Sequence, residues 1–221
     1  RLVHLDSPGV FVPLQVLAAS TLVGADGWLD GGLTGHGVKV AILDTGFAGY
    51  DDALGVTLPR AVTTRSFRAD RSVEGTSDHG HRAAEIIHSL APGAQLYLVT
   101  FSTITEMSAA VDYLTAQGVD VVSYSIGYIH NGPGDGTGAV NRIVSRSLGG
   151  NTAWSVAAGN WAQQHWAGTF RDDNRDGINE FRPGVPQLTH YFNAGDLISL
   201  SLRWDDTRSE EHTSELQSRE T

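Results

Sequence analysis

The chain has 221 residues, of which 40% are hydrophobic and 18% charged, so it can bury an ordinary core and lacks the composition of a disordered chain. Its formal net charge of -10 argues against a nucleic-acid partner, because phosphate binding needs a basic surface. The absence of cysteine excludes disulfides and thiol chemistry, and no apolar run approaches the roughly 20 residues of a membrane span.

Strand and helix patterns alternate along the middle of the chain. Residues 1–25 have no clear period and are either an N-terminal arm or the end of a preceding segment. The pattern after them predicts strand 38–44, helix 80–93, strand 94–101, helix 104–118, strand 119–127, helix 138–150 and strand 152–160. Such alternation with short turns predicts an α/β fold, with a mostly parallel sheet flanked by helices. In sheets of this kind, catalytic groups gather at the carboxyl ends of the strands.

The pattern changes after about residue 165. A polar Asp/Asn/Gly segment is followed by a Gly-Asp turn and by a run that alternates between apolar and polar residues, which is typical of antiparallel strands. We therefore assign residues 26–168 to a partial α/β core and residues 169–207 to the start of a small inserted β module.

Two candidate catalytic residues stand at the ends of predicted elements. Asp44 closes the first strand, where a carboxylate is held rigidly, although an Asp that only caps a turn would look the same. His79 precedes a helix and can act as a general base near neutral pH. Ser77 or Asp78 could instead simply cap that helix beside an exposed histidine, so the residues alone leave both interpretations open.

A third candidate ends the last predicted strand, in the stretch "SVAAGN". Asn160 is a neutral side-chain donor there, and such a donor can stabilise a developing oxyanion. An Asn in an ordinary turn is the competing interpretation.

The order of these motifs along the chain is more specific than any one of them. "DTG", then "HG" opening a helix that leads to "APGAQL", then "SIG" and "AAGN" together resemble the subtilisin-like serine proteases, the subtilases, over about residues 26–166. The resemblance implies a serine-type endopeptidase acting on a protein or peptide substrate. It also implies an extracellular or cell-surface parent protein and no required cofactor.

Residue roles follow from the resemblance. Asp44 would orient the imidazole and stabilise its charged form, His79 would be the general base and then the acid, and Asn160 would donate to the oxyanion. Ser125, Ile126 and Gly127 would line the substrate cleft, where a peptide adds as an extra strand. A plain buried strand end is the alternative for these three residues.

The sequence departs from the family pattern beside the catalytic histidine. His81 stands where the family usually has Thr, and Arg82 is also unusual there. His81 is therefore an alternative to His79, and we choose His79 because Gly80 follows it, as the motif requires.

The nucleophile is the part of the resemblance that is missing. The family needs a serine in a Gly-Thr-Ser-x-Ala-x-Pro setting after the Asn, and no serine beyond Asn160 has that setting; these are Ser199, Ser201, Ser209, Ser214 and Ser218. We expect a protease fragment that is inactive by itself. A non-catalytic, peptide-binding pseudo-protease is the main alternative, and a nucleotide-binding domain ranks lower because no Gly-rich phosphate loop is present.

The last residues have an unusual composition. Residues 208–218, "RSEEHTSELQS", resemble the translation of a common sequencing adapter, so we expect 208–221 to be an artefact and the serine of the parent protein to lie beyond it. A solvated acidic tail is the alternative interpretation.

One oxygen-rich turn suggests a metal. Asp172, Asn174 and Asp176 are spaced like the first half of a calcium loop, but Pro183 holds the position of the closing bidentate Glu. A weak calcium site and a solvated Asp/Asn turn both remain open.

Overall fold

The computed structural model of the chain describes residues 2–4, 19–128, 135–160, 166–186, 193, 195, 199–203 and 213–215. Its elements in chain order are β1 (Leu2–His4), α1 (Ala19–Leu22), α2 (Asp26–Asp30), β2 (Lys39–Asp44), β3 (Thr63–Ser66), α3 (His79–Leu90), β4 (Gln95–Thr100), α4 (Ile104–Ala116), β5 (Val121–Tyr124), α5 (Ala139–Leu148), β6 (Ala153–Val156), β7 (Ser199–Arg203) and β8 (Thr213–Glu215). They divide between two compact units, the larger formed by residues 10–128 and 136–159 and the smaller by residues 1–9, 129–135 and 160–221.

The larger unit is built on a five-stranded sheet in the order β3-β4-β2-β5-β6, in which all neighbours are parallel. The predicted α/β fold with a parallel sheet is therefore confirmed. The edge strand β3 was not predicted, because its sequence Thr-Thr-Arg-Ser is polar and largely exposed and gives no apolar pattern. Sheet order reverses about β2, since β4 lies on one side of it and β5 on the other, and such a switch point opens a crevice at the strand ends.

Alternation along β2 assigns its side chains to two hydrophobic clusters. Ala41 and Leu43 pack in the cluster that contains the apolar residues of α4 and α5. Val40 and Ile42 pack in the cluster that contains Ala84 of α3. Because side chains on a strand alternate between faces, the next even-numbered residue, Asp44, is directed to the face that α3 covers.

Helix α4 shows why the local sequence and the packing agree. Its start is fixed by a capping box, in which the Thr103 hydroxyl accepts from the Glu106 N–H and the Glu106 carboxylate accepts from the Thr103 N–H. Its buried residues are Met107, Ala110, Val111 and Leu114. Burying each large apolar side chain of this kind contributes about 1.5–3 kcal/mol, so the packed face rather than helix propensity holds α4 on the sheet.

The smaller unit contains a three-stranded antiparallel sheet in the order β1-β7-β8. Strand β7 falls in the alternating run that predicted antiparallel structure, and β1 falls in the arm for which no pattern was found. Strand β8 lies inside the segment 208–221 that we interpreted as adapter-derived, and the rest of that segment lies outside the described residues. Within the described ranges, no helix combines the length and apolarity that crossing a membrane requires.

Candidate active site

Asp44 and His79 meet at the carboxyl end of β2. The Nδ1–H of His79 donates to Oδ2 of Asp44 over 2.7 Å. The carboxylate is anchored in the core, with only 1% of Asp44 exposed, whereas 40% of the His79 side chain is open to solvent. Since Nδ1 carries the donated proton, Nε2 is the basic nitrogen, and no described residue forms a hydrogen bond with it.

Backbone groups fix both partners of this pair. The second carboxylate oxygen of Asp44 accepts from the N–H of Thr45 over 2.7 Å. The N–H of His79 donates to the hydroxyl of Ser77 over 3.1 Å, while Asp78 makes no capping bond with its side chain. The Ser77 hydroxyl therefore bonds to the start of α3 as a cap would, and the ring of His79 contacts Asp44 at the same time. The catalytic role of His79 stays a prediction.

Glycine lets the helix approach the strand closely enough for this contact. A Cβ on Gly80 would lie 2.7 Å from the carbonyl oxygen of Gly46 and 2.8 Å from the Cβ of Asp44. A Cβ on Gly46 would lie 2.7 Å from the carbonyl oxygens of both Glu74 and Ser77. These distances are too short for any other residue without a backbone shift, which explains why "DTG" and "HG" each contain a glycine.

The pair alters the titration of the histidine. The hydrogen bond to Asp44 raises the pKa of His79 above its ordinary value; partial burial opposes this, and the charges of Asp44 and Asp78 add to it. A carboxylate that orients an imidazole and stabilises its charged form suits that imidazole to accept a proton from a neighbouring group.

His81 occupies a different environment from His79. Its ring is buried, Nδ1 lies 3.0 Å from the carbonyl oxygen of Ala48, and Nε2 lies 3.3 Å from Oε1 of Glu85. The imidazole that contacts Asp44 and reaches solvent is thus that of His79.

The segment after β5 leaves the sheet where β2 ends. In the register of the two strands Ser123 lies opposite Ile42, so Ser125 comes at the level of Asp44. Strand β5 stops at Tyr124, three residues earlier than predicted. Ser125 and Gly127 are exposed, and Ile126 is partly buried against the sheet core. Among the described residues, no backbone hydrogen bond is made by Ser125, Ile126 or Gly127.

Asn160 follows β6, which ends at Val156 rather than at the predicted residue 160. It is exposed and belongs to the smaller unit, whereas Asp44, His79 and Ser125 belong to the larger. Its role toward an oxyanion stays a prediction. Of the later serines, Ser199 and Ser201 lie in β7 and Ser214 lies in β8, while Ser209 and Ser218 lie outside the described residues.

The proposed calcium ligands form a turn whose oxygens already have partners. Both carboxylate oxygens of Asp172 accept from backbone N–H groups, those of Asp176 and Gly177. The amide oxygen of Asn174 accepts from the Asp176 N–H, and its NH₂ group faces the Asp176 carboxylate. The described part of the chain contains no group of three His, Cys, Asp or Glu side chains that could hold a metal. A solvated turn accounts for these contacts, and a calcium loop stays the alternative hypothesis.

Arg68 is a residue near the site that sequence reasoning missed. Its guanidinium donates to the carbonyl oxygen of Thr45 over 3.2 Å and to the hydroxyl of Ser102 over 2.7 Å, and it is paired with Asp70. It therefore ties the segments that follow three neighbouring strands. It lies in a stretch without periodicity, so no sequence signal pointed to it.

Comparisons with known proteins identify a family for the chain. Residues 35–178 match the model of the subtilase family. The solved structures that resemble the chain include MycP1 with its N-terminal propeptide removed, at 23% identity and a TM-score of 0.50, covering 72% of this chain and 53% of that one. They also include a lanthipeptide protease, at 20% identity and a TM-score of 0.49 with 66% and 46% covered. MycP1 from Mycobacterium smegmatis is a third, at 17% and 0.48 with 78% and 52% covered.

At 23% identity, the structure of MycP1 without its propeptide supports the fold of this chain alone. The chain spans about half the length of these solved structures. None of the curated proteins matches it in sequence.

Proposed function

Because the chain belongs to the subtilase family of proteases, we propose that it carries the acid–base part of a serine endopeptidase, whose nucleophile this sequence does not contain. In this proposal Asp44 orients the histidine, His79 transfers the proton, and Asn160 donates to the oxyanion. The observation that carries the proposal is the 2.7 Å hydrogen bond between a buried carboxylate and an imidazole whose other nitrogen bonds to no residue in the described part of the chain.

The proposed reaction uses Nε2 of His79 first as a base and then, once protonated, as an acid. Nε2 removes the proton of a serine hydroxyl as its oxygen bonds to the carbonyl carbon of the peptide. Asp44 stabilises the imidazolium that forms, which is the state its hydrogen bond favours. The imidazolium then gives its proton to the leaving amine nitrogen as the C–N bond breaks, and water removes the acyl group by the same steps. No cofactor enters this scheme.

Asn160 would act on the oxygen of the carbonyl group. As the tetrahedral intermediate forms, negative charge collects on that oxygen, and a neutral amide N–H stabilises it without a change of protonation. Removing one donor of this kind costs on the order of 10²–10³ in turnover.

The substrate would bind beside the pair as an added strand. Ser125, Ile126 and Gly127 follow the end of β5, and their backbone groups make no hydrogen bond with another described backbone group, so a peptide could bond to them as an added strand. This same edge favours the second candidate function, a pseudo-protease that binds peptides without cleaving them. We place the parent protein outside the cell or at its surface, which detection in the secreted or surface fraction tests.

Expressing a longer version of the protein distinguishes the endopeptidase from the peptide-binding pseudo-protease. The experiment reads the source gene beyond residue 207 and expresses the extended protein for peptide hydrolysis. We expect a Gly-Thr-Ser motif, and we expect His79→Ala and Asp44→Asn each to lower kcat by roughly 10⁴. Ser89→Ala, at a partly exposed position on α3, is the matched control and should leave the rate unchanged.

Two outcomes would contradict the endopeptidase. A stop codon with no such motif, together with peptide binding that depends on Ser125, Ile126 and Gly127, supports the pseudo-protease. Hydrolysis that survives both active-site substitutions would mean that the pair is not the acid–base machinery.

A further inference from the structure

A second polar cluster lies buried between α3 and the segment that follows β2. The ring of His81 contacts the carbonyl oxygen of Ala48 at 3.0 Å and the carboxylate of Glu85 at 3.3 Å, the latter at ion-pair distance without the alignment of a hydrogen bond. Glu85 in turn accepts from the hydroxyl of Thr57 and pairs with Arg82 over 3.0 Å. The proposed reaction uses none of these side chains.

Glu85 is ionised in spite of its burial. Burial opposes its charge, but bonds from Thr57 and Arg82 and the charge of His81 outweigh that effect and hold the pKa of Glu85 below its ordinary value. The bonds that Glu85 accepts and the bond from Nδ1 of His81 to Ala48 restrain these side chains, whereas Nε2 of His81 meets Glu85 only at ion-pair distance. His81 is only 6% exposed, so it cannot reach a substrate, and its contacts must act inside the protein.

The cluster continues a set of links between the start of α3 and residues 46–48. Two of these links are backbone hydrogen bonds, from Gly80 N–H to Gly46 and from Ala48 N–H to Ser77, each 3.0 Å long. The third is the bond from Nδ1 of His81 to Ala48. Of the three, only the His81 bond depends on a side chain.

One turn further along α3, a second side-chain contact joins the helix to the segment 45–58. Glu85 lies four residues after His81 and receives the Thr57 hydroxyl, so α3 is fastened to both ends of the segment 45–58. That segment starts at Thr45, whose N–H holds the Asp44 carboxylate, and α3 starts at His79. The cluster therefore joins the helix that begins at His79 to the segment that directly follows Asp44.

We propose that His81 and Glu85 are positioning residues, which clamp α3 onto the segment 45–58 and thereby hold the His79 ring against the Asp44 carboxylate. This inference rests on the proposed function of the pair. His81, which stands where the family usually has Thr, would then be a positioning residue. It would not replace His79 as the proposed catalytic histidine. The clamp acts through geometry, because neither His81 nor Glu85 contacts His79 or Asp44 in any described hydrogen bond.

Proton NMR of the full chain tests the clamp without any need for activity. In the unaltered chain, the Nδ1–H of His79 should give a protected low-field resonance. In His81→Ala we expect that resonance to be lost, or its exchange with solvent to accelerate about tenfold or more. The pKa of His79 should also fall toward its ordinary value, because the bond to Asp44 raises it.

Matched variants separate positioning from simple destabilisation. His81→Asn should restore the resonance, because its amide nitrogen can donate to Ala48 from the position of Nδ1. Ala84→Gly weakens the same helix at a fully buried apolar position and should leave the resonance in place while the helix remains folded. Glu85→Gln keeps the size of the side chain and should give an intermediate acceleration of exchange.

The outcomes distinguish failure of the proposed function of the His79–Asp44 pair from failure of the clamp. If the unaltered chain shows neither a protected resonance nor a raised pKa for His79, the proposed function of the pair fails. If it shows both, and His81→Ala leaves them intact or Ala84→Gly removes them equally, the clamp fails. If His81→Ala does not fold, failure of His81→Asn to retain the resonance, or of Glu85→Gln to change the exchange rate, overturns the clamp.

Discussion

Replacing Gly80 by Ala should separate the catalytic pair by pushing α3 away from β2. The added Cβ would lie 2.7 Å from the Gly46 carbonyl oxygen and from the Phe47 ring, and 2.8 Å from the Asp44 Cβ. Ordinary contact begins near 3.4 Å, so the helix must move by 3.4 - 2.7 = 0.7 Å. The same movement along the His79–Asp44 bond would lengthen it from 2.7 Å to about 3.4 Å, close to the limit for a hydrogen bond.

The energetic cost of this substitution follows from overpacking. Forcing one extra carbon into a packed core costs about 1–3 kcal/mol. For a chain of this size each kcal/mol shifts Tm by about 2–4 °C, so we expect Tm to fall by about 2–12 °C. The pKa of His79 should fall toward its ordinary value at the same time, since the bond that raises it is stretched.

The assay is thermal unfolding followed by circular dichroism, with NMR titration of His79. Gly27→Ala is the matched control, because Gly27 lies in α2 with no atom within 4 Å of an added Cβ. The same chemical change there should leave Tm unchanged or raise it by a few degrees at most, since Ala is favoured over Gly in a helix by about 0.5–1 kcal/mol. An unaltered Tm and an unaltered His79 titration in Gly80→Ala would refute the reasoning.

Four further predictions concern other parts of the chain. Because the bond to Asp44 raises the pKa of His79, its stabilisation is fully present below the unfolded value of about 6.5 and is lost as pH rises through the folded pKa. The difference in Tm between the chain and His79→Gln should therefore shrink as pH rises above about 6.5, and a difference that grows with pH would contradict the assignment. A fluorophosphonate probe for activated serines should not label the chain, and labelling of any serine would show that a nucleophile is present. Millimolar calcium should raise Tm by no more than about 1 °C, because the oxygens of the 172–177 turn already have partners, and a larger rise that Asp176→Asn abolishes would establish a calcium loop. Thr103→Ala should cost about 1 kcal/mol by removing the cap of α4, which calorimetry would detect as a Tm lower by about 2–4 °C, and an unchanged Tm would mean that the capping box adds nothing.

Much of the larger unit could be predicted from periodicity. The strand that ends at Asp44 and the helix α4 were predicted to within a few residues, because apolar spacing and the Pro/Gly stops are local signals. The ends of β5 and β6 were placed too late. Ile126 and the two alanines after Val156 continue the apolar character of the two strands, but pairing stops at Tyr124 and Val156, and pairing is a property of the neighbouring strands.

The sequence by itself determined which kinds of residue come to the end of the sheet and in what order. "DTG" and "HG" need their glycines because a Cβ would meet backbone atoms at 2.7 Å, so the close approach of helix and strand is encoded locally. Only the tertiary structure decided which imidazole meets Asp44. His79 and His81 stand two residues apart on one helix, and a turn of about 100° per residue directs them to different surroundings. His79 faces the end of β2 and solvent, while His81 is buried against Ala48 and Glu85, because the docking of α3 on the sheet, and not the motif, fixes which side chain is enclosed.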